Sequence, residues 1–143
     1  MPPFIYLGAI TLGIVANALW PLPFVPEGFA LVSGIVLIVM GMALMVYAAR
    51  TFARAGTNVD VRQPALKIVR SGPFRFSRNP MYVGMAIVTL GAAVWVDTLW
   101  ILVALVPALV LVRYGVIARE EAYLERKFGK EYLDYKAAVR RWL

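Results

Sequence analysis

The chain has 143 residues, 62% of them hydrophobic, with no cysteine, no histidine and a formal net charge of +7. So much apolar side chain is out of place in a soluble domain of this length, and the sequence describes one compact integral membrane unit. The missing residue types exclude disulfides, a thiolate nucleophile, a histidine base and the usual haem and zinc ligands, and the positive charge is weighed as membrane topology before nucleic acid.

Four apolar segments read as spans, at 4–20, 28–49, 81–96 and 98–117. At about 1.5 Å per residue the second and fourth cover a hydrocarbon core of about 30 Å, whereas the first and third are short and lean on interfacial residues or a locally thinned bilayer. The opening MPPFIY has no basic n-region and no small-residue cleavage pattern precedes LPFVPEG, so the first span is expected to be retained. All 15 lysines and arginines fall in Arg50–Arg78 or Arg113–Arg141. The positive-inside rule then puts both basic segments and both termini in the cytosol, and the inner or plasma membrane of a prokaryote is the expected location.

The expected fold is therefore all-α and a single membrane domain over 1–143. It has two helical hairpins with short outer turns, a cytosolic loop at 50–80 and an amphipathic C-terminal segment at 118–143. A loop of about thirty residues is long enough to suspect function. Gly34 and Gly41 form a small-residue stripe on the second span that packs either within the monomer or between copies, so the oligomeric state stays open. Pro107 is expected to kink the fourth span.

The stretch SGPFRFSRNPMYVG, Ser71–Gly84, concentrates arginine, proline and glycine where the third span begins. Asn79-Pro80 reads as a helix start, with asparagine as the N-cap accepting from free amides and proline at the first helical position. That start presents amides and the positive end of a helix dipole beside Arg75 and Arg78, a place for an anion. A lipid phosphate and a ligand carboxylate both satisfy this chemistry. Gly84 and Gly91, seven residues apart, let either a neighbouring helix or a ligand approach the backbone.

Near the exit of the fourth span stand Arg113, Glu120 and Glu121; a separation of seven puts Arg113 and Glu120 on nearly one helical face, about 10 Å apart. These groups read either as a solvated charge run or as the polar contacts of a zwitterionic, hydroxyl-rich ligand. In REEAYLERKFGKEYLDYKAAVRRWL, Leu124, Phe128, Tyr132, Tyr135, Val139 and Trp142 recur at three and four residue steps, an amphipathic helix interrupted near Gly129 and lying on the cytosolic surface.

Taken in order, GTNV, LKIVRSGPFRFSRNPMYVG and REEAYLERKFGKEYLDYKAAVRRW resemble the isoprenylcysteine carboxyl methyltransferase family and the related phospholipid N-methyltransferases, over roughly Gly56 to Trp142. The resemblance implies an integral membrane enzyme that uses S-adenosylmethionine, releases S-adenosylhomocysteine, needs no metal and takes a lipophilic or lipidated acceptor from the bilayer. It places Arg78, Asn79, Pro80, Tyr82, Gly84, Glu120, Glu121, Tyr132 and Tyr135 around the cofactor, and Arg113, Glu120 and Arg140 as candidates for the reaction. Membrane lipids are the expected partners, and nucleic acid is not.

Many family members carry histidine where this chain has Asn79, which cannot act as a base. A carboxylate acceptor needs none, being a nucleophile already at neutral pH, and this favours O-methylation of an isoprenylcysteine-like acceptor over N-methylation of a phospholipid amine. A small transporter and a non-catalytic membrane protein are the readings from other classes. The first three spans carry no charge in their cores, which argues against proton-coupled transport.

Overall fold

The computed structural model describes residues 2–58 and 65–142; residues 59–64, including Val59 of the GTNV motif and part of the expected 50–80 loop, and the two terminal residues lie outside the described residues. The described residues form α1 (Pro2–Leu19), α2 (Ala30–Ala55), α3 (Pro80–Trp95), α4 (Leu99–Leu111), α5 (Ala118–Phe128) and α6 (Lys130–Ala138). A 3-10 turn at Gly72–Arg75 precedes α3, and a π-helical segment at Val112–Ile117 joins α4 to α5 without a break. There is no strand among the described residues.

Three helices are long and apolar enough to cross a membrane: α1, α2 and the continuous run Leu99–Phe128. The fourth apolar helix, α3, has only 16 residues. Large apolar side chains such as Leu12, Val32, Val39 and Val106 are exposed over long helical faces, as lipid-facing surfaces require and a water-soluble fold does not tolerate. The chain is a multi-pass helical membrane protein.

The short helix is the central one. α3 packs along α2 and also touches α1 and α4, while α1 packs along α4; α1 and α2, consecutive in the chain, have no comparable contact. The expected N-terminal hairpin is therefore corrected: α1 and α2 share a turn but not an interface. The cause is the spacing of glycines. Gly34 and Gly41 on α2 meet Gly91 and Gly84 on α3, the two glycines of each helix being seven positions apart. A methyl group at Gly41 would lie 2.6 Å from the Gly84 carbonyl oxygen, and one at Gly91 would lie 2.9 Å from the Gly34 carbonyl oxygen. Such approach brings backbone against backbone, which in lipid is a main source of helix association. The stripe on α2 is thus consumed inside the monomer. The contact between α1 and α4 is just as close, since a methyl at Gly13 would meet Ile101 Cγ1 at 2.5 Å.

At the end of the bundle away from the basic residues, the two turns are tied to each other. Asp97 takes a φ of 51°, and its Oδ1 accepts from the amides of Phe24 and Val25, both at 2.8 Å. The Leu99 amide donates to Leu22 O at 3.0 Å and the Trp100 indole to Trp20 O at 2.7 Å. Thr98 caps α4 by accepting from the Trp100 amide. At the other end Gly129, with φ 52°, breaks the amphipathic segment where expected, between α5 and α6.

Gly41→Ala is expected to destabilise the protein by about 2 kcal/mol, through overpacking at a contact that backbone atoms leave no room to relax. Gly8→Ala, where the added carbon meets nothing within 4 Å, is expected to be neutral or slightly stabilising. Thermal unfolding of both variants in one detergent checks the pair; equal melting would remove the glycine contact as the organiser of α2 and α3.

Candidate functional site

The basic end of the bundle encloses a cavity of about 310 Å³. Its apolar walls come from Phe52 on α2, Val69 and Phe74 before α3, Met81 and Met85 on α3, and Leu124 on α5. Its polar groups are Arg78, Asn79, Tyr82, Glu120, Glu121, Tyr132 and Tyr135, with Thr57, Asn58, Lys67 and Tyr123 at the margin. Volume and lining are those of a pocket for a small molecule that is part apolar and part charged.

The polar side is built around Glu121. Its carboxylate is held by Arg141 from one side, Nε to Oε1 at 3.0 Å and Nη2 to Oε2 at 2.6 Å, and by Arg78 Nη1 from the other at 3.0 Å. The Arg78 and Glu121 side chains are each only 8% exposed, so the pairing is made away from solvent, where losing one partner is costly. Hydrogen bonding to Glu121 also raises the Arg141 pKa, keeping it a cation at any working pH. Arg78 donates further to the Tyr132 hydroxyl at 3.3 Å, yet its buried Nε has no partner among the described residues. An unpaired buried donor in a cavity wall is the chemistry an anion completes.

The segment after α6 runs back along the start of α3. The Arg78 amide donates to Arg140 O at 3.0 Å, Asn79 Nδ2 to Arg141 O at 2.8 Å and Ser77 Oγ to Arg141 O at 3.4 Å. Trp142 packs on the buried cluster of Tyr6, Tyr82, Val112 and Ile117. The expected N-cap role of Asn79 is corrected by this seam: its side chain makes no cap bond to α3, because a returning carbonyl claims its amide. The amides of Tyr82 and Val83 both turn to Asn79 O, and Pro80 has none. Only the Met81 amide of the first turn is left without an acceptor in the helix.

Tyr82 points the other way. Its hydroxyl donates to Glu120 Oε1 at 2.6 Å, and its carbonyl accepts from the Tyr6 hydroxyl at 3.1 Å. Tyr132 and Tyr135 sit edge to face with centroids 6.2 Å apart, and Tyr135 is fixed by donating to Phe74 O at 2.8 Å. Burial raises the pKa of both phenols, so each is a neutral hydroxyl. These two rings face the cavity and the Arg78 side chain.

The structure thus brings Arg78, Asn79, Pro80, Tyr82, Glu120, Glu121, Tyr132 and Tyr135 to one cavity. Gly84 is not in its lining; a methyl there would meet Met45 Cγ at 2.6 Å, so that glycine serves the contact with α2. Arg140 reaches the site through its backbone. Arg113 is outside as well: it is exposed, with its guanidinium 5.4 Å from the Tyr114 ring. The single helical face expected for Arg113 and Glu120 fails because Arg113 itself stands in the π-helical Val112–Ile117, whose wider turn changes the register before Glu120. Sequence reasoning missed Phe74, stacked on Phe52 at 4.4 Å, and Tyr6, the one phenol in α1. The SGPF turn was the available signal for Phe74, and a lone phenol in an oily helix the signal for Tyr6.

Sequence reasoning also expects Glu121→Ala and Arg78→Ala to leave the fold intact, as substitutions outside the hydrocarbon core. Burial of the pair reverses this. Glu121→Ala leaves two cations without their partner and is expected to cost about 3 kcal/mol of stability. Glu120→Gln is expected to cost about 1 kcal/mol or less, since the Tyr82 hydroxyl keeps an acceptor. Chemical unfolding in mixed micelles separates the two; a Glu121→Ala protein as stable as wild type would contradict the structural role of the pairing.

The sequence pattern of the family described as phospholipid methyltransferase matches residues 29–131, from the start of α2 into α6. An uncharacterised protein of Haemophilus influenzae is 38% identical over 63 residues, covering 44% of this chain and all of that protein. No solved structure matches. The match spans α2, the loop, the start of α3 and the paired glutamates, the elements that build the cavity, and on that basis the chain belongs to the phospholipid methyltransferase family, the isoprenylcysteine carboxyl methyltransferase-like membrane methyltransferases.

Proposed function

We propose that this protein transfers a methyl group from S-adenosylmethionine to the carboxylate of a lipophilic, isoprenylcysteine-like acceptor at the cytosolic face of the membrane. The observation that carries the proposal is buried Arg78, with an unpartnered Nε, in a cavity whose other walls are mostly apolar. In this reading α3 is a fourth, short span, its length made up by the Arg78–Asn79 seam at one end and the Asp97 turn at the other.

The residues present fit the methyl donor. Arg78 Nε and the Met81 amide suit its carboxylate, Glu120 its ammonium or ribose hydroxyls, and the Tyr132 and Tyr135 rings its adenine. Glu121 is a positioning residue that holds Arg78 in place. When bound, the sulfonium supplies an electrophilic methyl: a carboxylate oxygen forms the new C–O bond as the S–CH₃ bond breaks, and the electron pair stays on sulfur to leave S-adenosylhomocysteine. No proton moves in that step. The protein's task is alignment and exclusion of water, for which Phe52, Val69 and Met85 provide the walls.

The acceptor reaches the cavity between α1 and α2, since Pro3 and Phe52 line it from helices that do not pack on each other. Arg113 and Arg140 are assigned to lipid head groups, outside the reaction. A second reading is favoured by one observation. Glu120, bonded to Tyr82 in the cavity wall, is positioned to take the proton that an ammonium acceptor must lose, which is the chemistry of phospholipid amine methylation.

Calorimetric titration of the detergent-solubilised protein with S-adenosylhomocysteine is expected to show one saturable site. Folded protein that binds none in two detergents and in nanodiscs overturns the proposal. Incubation with methyl-labelled donor then separates the acceptors. N-acetyl-S-farnesylcysteine is expected to take label that alkali releases as methanol, with turnover in Glu120→Gln within about tenfold of wild type. Alkali-stable label in phosphatidylethanolamine, lost by about 100-fold in Glu120→Gln, would establish the amine reading instead.

A further inference from the structure

A second cavity, of about 290 Å³, lies on the other side of the last turns of α2 and is lined by Tyr47, Thr51, Arg54, Ala55, Ser71 and Gly72. The stacked rings of Phe52 and Phe74 belong to the first cavity, and none of the residues lining the second is shared with it. No carboxylate lines this second space. Its polar groups are mostly donors: the Arg54 guanidinium and the hydroxyls of Tyr47 and Ser71, none with a side-chain partner among the described residues. Thr51, nine-tenths buried, donates its hydroxyl proton to Tyr47 O at 2.8 Å and so is not one of these donors. Gly72 has φ 56°, and a side-chain carbon there would sit 2.9 Å from Thr51 Oγ1 and 3.2 Å from the Tyr47 hydroxyl. The chain thus passes close to the Tyr47 and Thr51 hydroxyls at a residue that has no side chain to fill the space.

The surroundings indicate what an anion here would be attached to. Tyr47, Thr51 and Arg54 fall at i, i+4 and i+7 on one face of α2. The same face continues away from the basic end as Val36, Met40 and Ala43, all exposed. A cationic, hydroxyl-lined cup therefore stands at the top of an apolar stripe that faces lipid. We propose that this cup binds a phosphate anion, and that its source is the head group of a phospholipid whose acyl chain lies along Val36, Met40 and Ala43. The lipid ties Ser71 and Gly72, at the end of the loop, to α2. The site stands apart from the methyl-transfer reading and does not depend on it.

Native mass spectrometry of the detergent-purified protein, titrated with phosphatidylglycerol and separately with phosphatidylcholine, tests the site. Wild type is expected to retain one phosphatidylglycerol tightly, and Arg54→Gln and the Tyr47→Phe/Ser71→Ala pair to weaken it about fivefold each. Arg50→Gln is the control, because Arg50 is an exposed arginine one turn away that does not line the cup. Competition by millimolar inorganic phosphate without displacement of lipid from other positions would assign the cup to free phosphate; resistance to it would assign the head group. Equal weakening by Arg50→Gln and Arg54→Gln, or none by either, would overturn the proposal, leaving only general attraction between a basic surface and anionic lipid.

Discussion

The arrangement at the basic end depends on one carboxylate. Glu121 stands between Arg78, at the entry to α3, and Arg141, in the segment that follows α6, and all of the local chain path follows from holding both. Two guanidinium groups this close repel each other, and burial makes the repulsion more severe. With Glu121 between them the repulsion becomes a cross-link: α5 is joined to α3 and to the last residues of the chain, which are thereby laid along Ser77–Asn79. The seam of backbone and side-chain bonds is short because it has only to complete what the ion pairs begin. The same pairing leaves Arg78 with a donor to spare, so the interaction that closes the fold also prepares the cavity.

The spans are held differently. Lipid gives apolar helices no solvent-driven reason to associate, so contact has to come from close packing of backbone, and glycines at seven-residue steps supply it between α2 and α3. A short central helix is the natural outcome. α3 is surrounded by α1, α2 and the continuous helical run that begins with α4, and presents little of its surface to lipid, so its 16 residues matter less than they would on the periphery. The polar ends of α3 find partners within the protein: Arg78 and Asn79 at one end, and the turn through Asp97 at the other.

Much of this was legible in the chain itself. Apolar runs and the confinement of every lysine and arginine to two stretches predict the helices to within a few residues, apart from a second helix that continues through Ala55. The break at Gly129 follows from the residue pattern, and the gathering of Arg78, Tyr82, Glu120 and the two tail tyrosines is what the family resemblance implies. Three things were not legible. Helix pairing depends on which glycine faces which, and the i, i+7 pattern of Gly34 and Gly41 does not name its partner. The register between Arg113 and Glu120 depends on a π-helical segment that no residue type announces. The partner of Asn79 is a carbonyl some sixty residues away, and a local capping rule has no access to it.

The Asp97 side chain has a mechanical meaning for the bundle. Both turns at that end are fastened, one to the other, through four hydrogen bonds, while along their length α1 and α2 pack on α4 and α3 and not on each other. α1 is therefore braced at both ends, by the joined turns at Asp97 and by the Tyr6 hydroxyl on Tyr82 O, so Pro2 and Pro3 at the rim of the cavity stand on a helix fixed to α3 and α4.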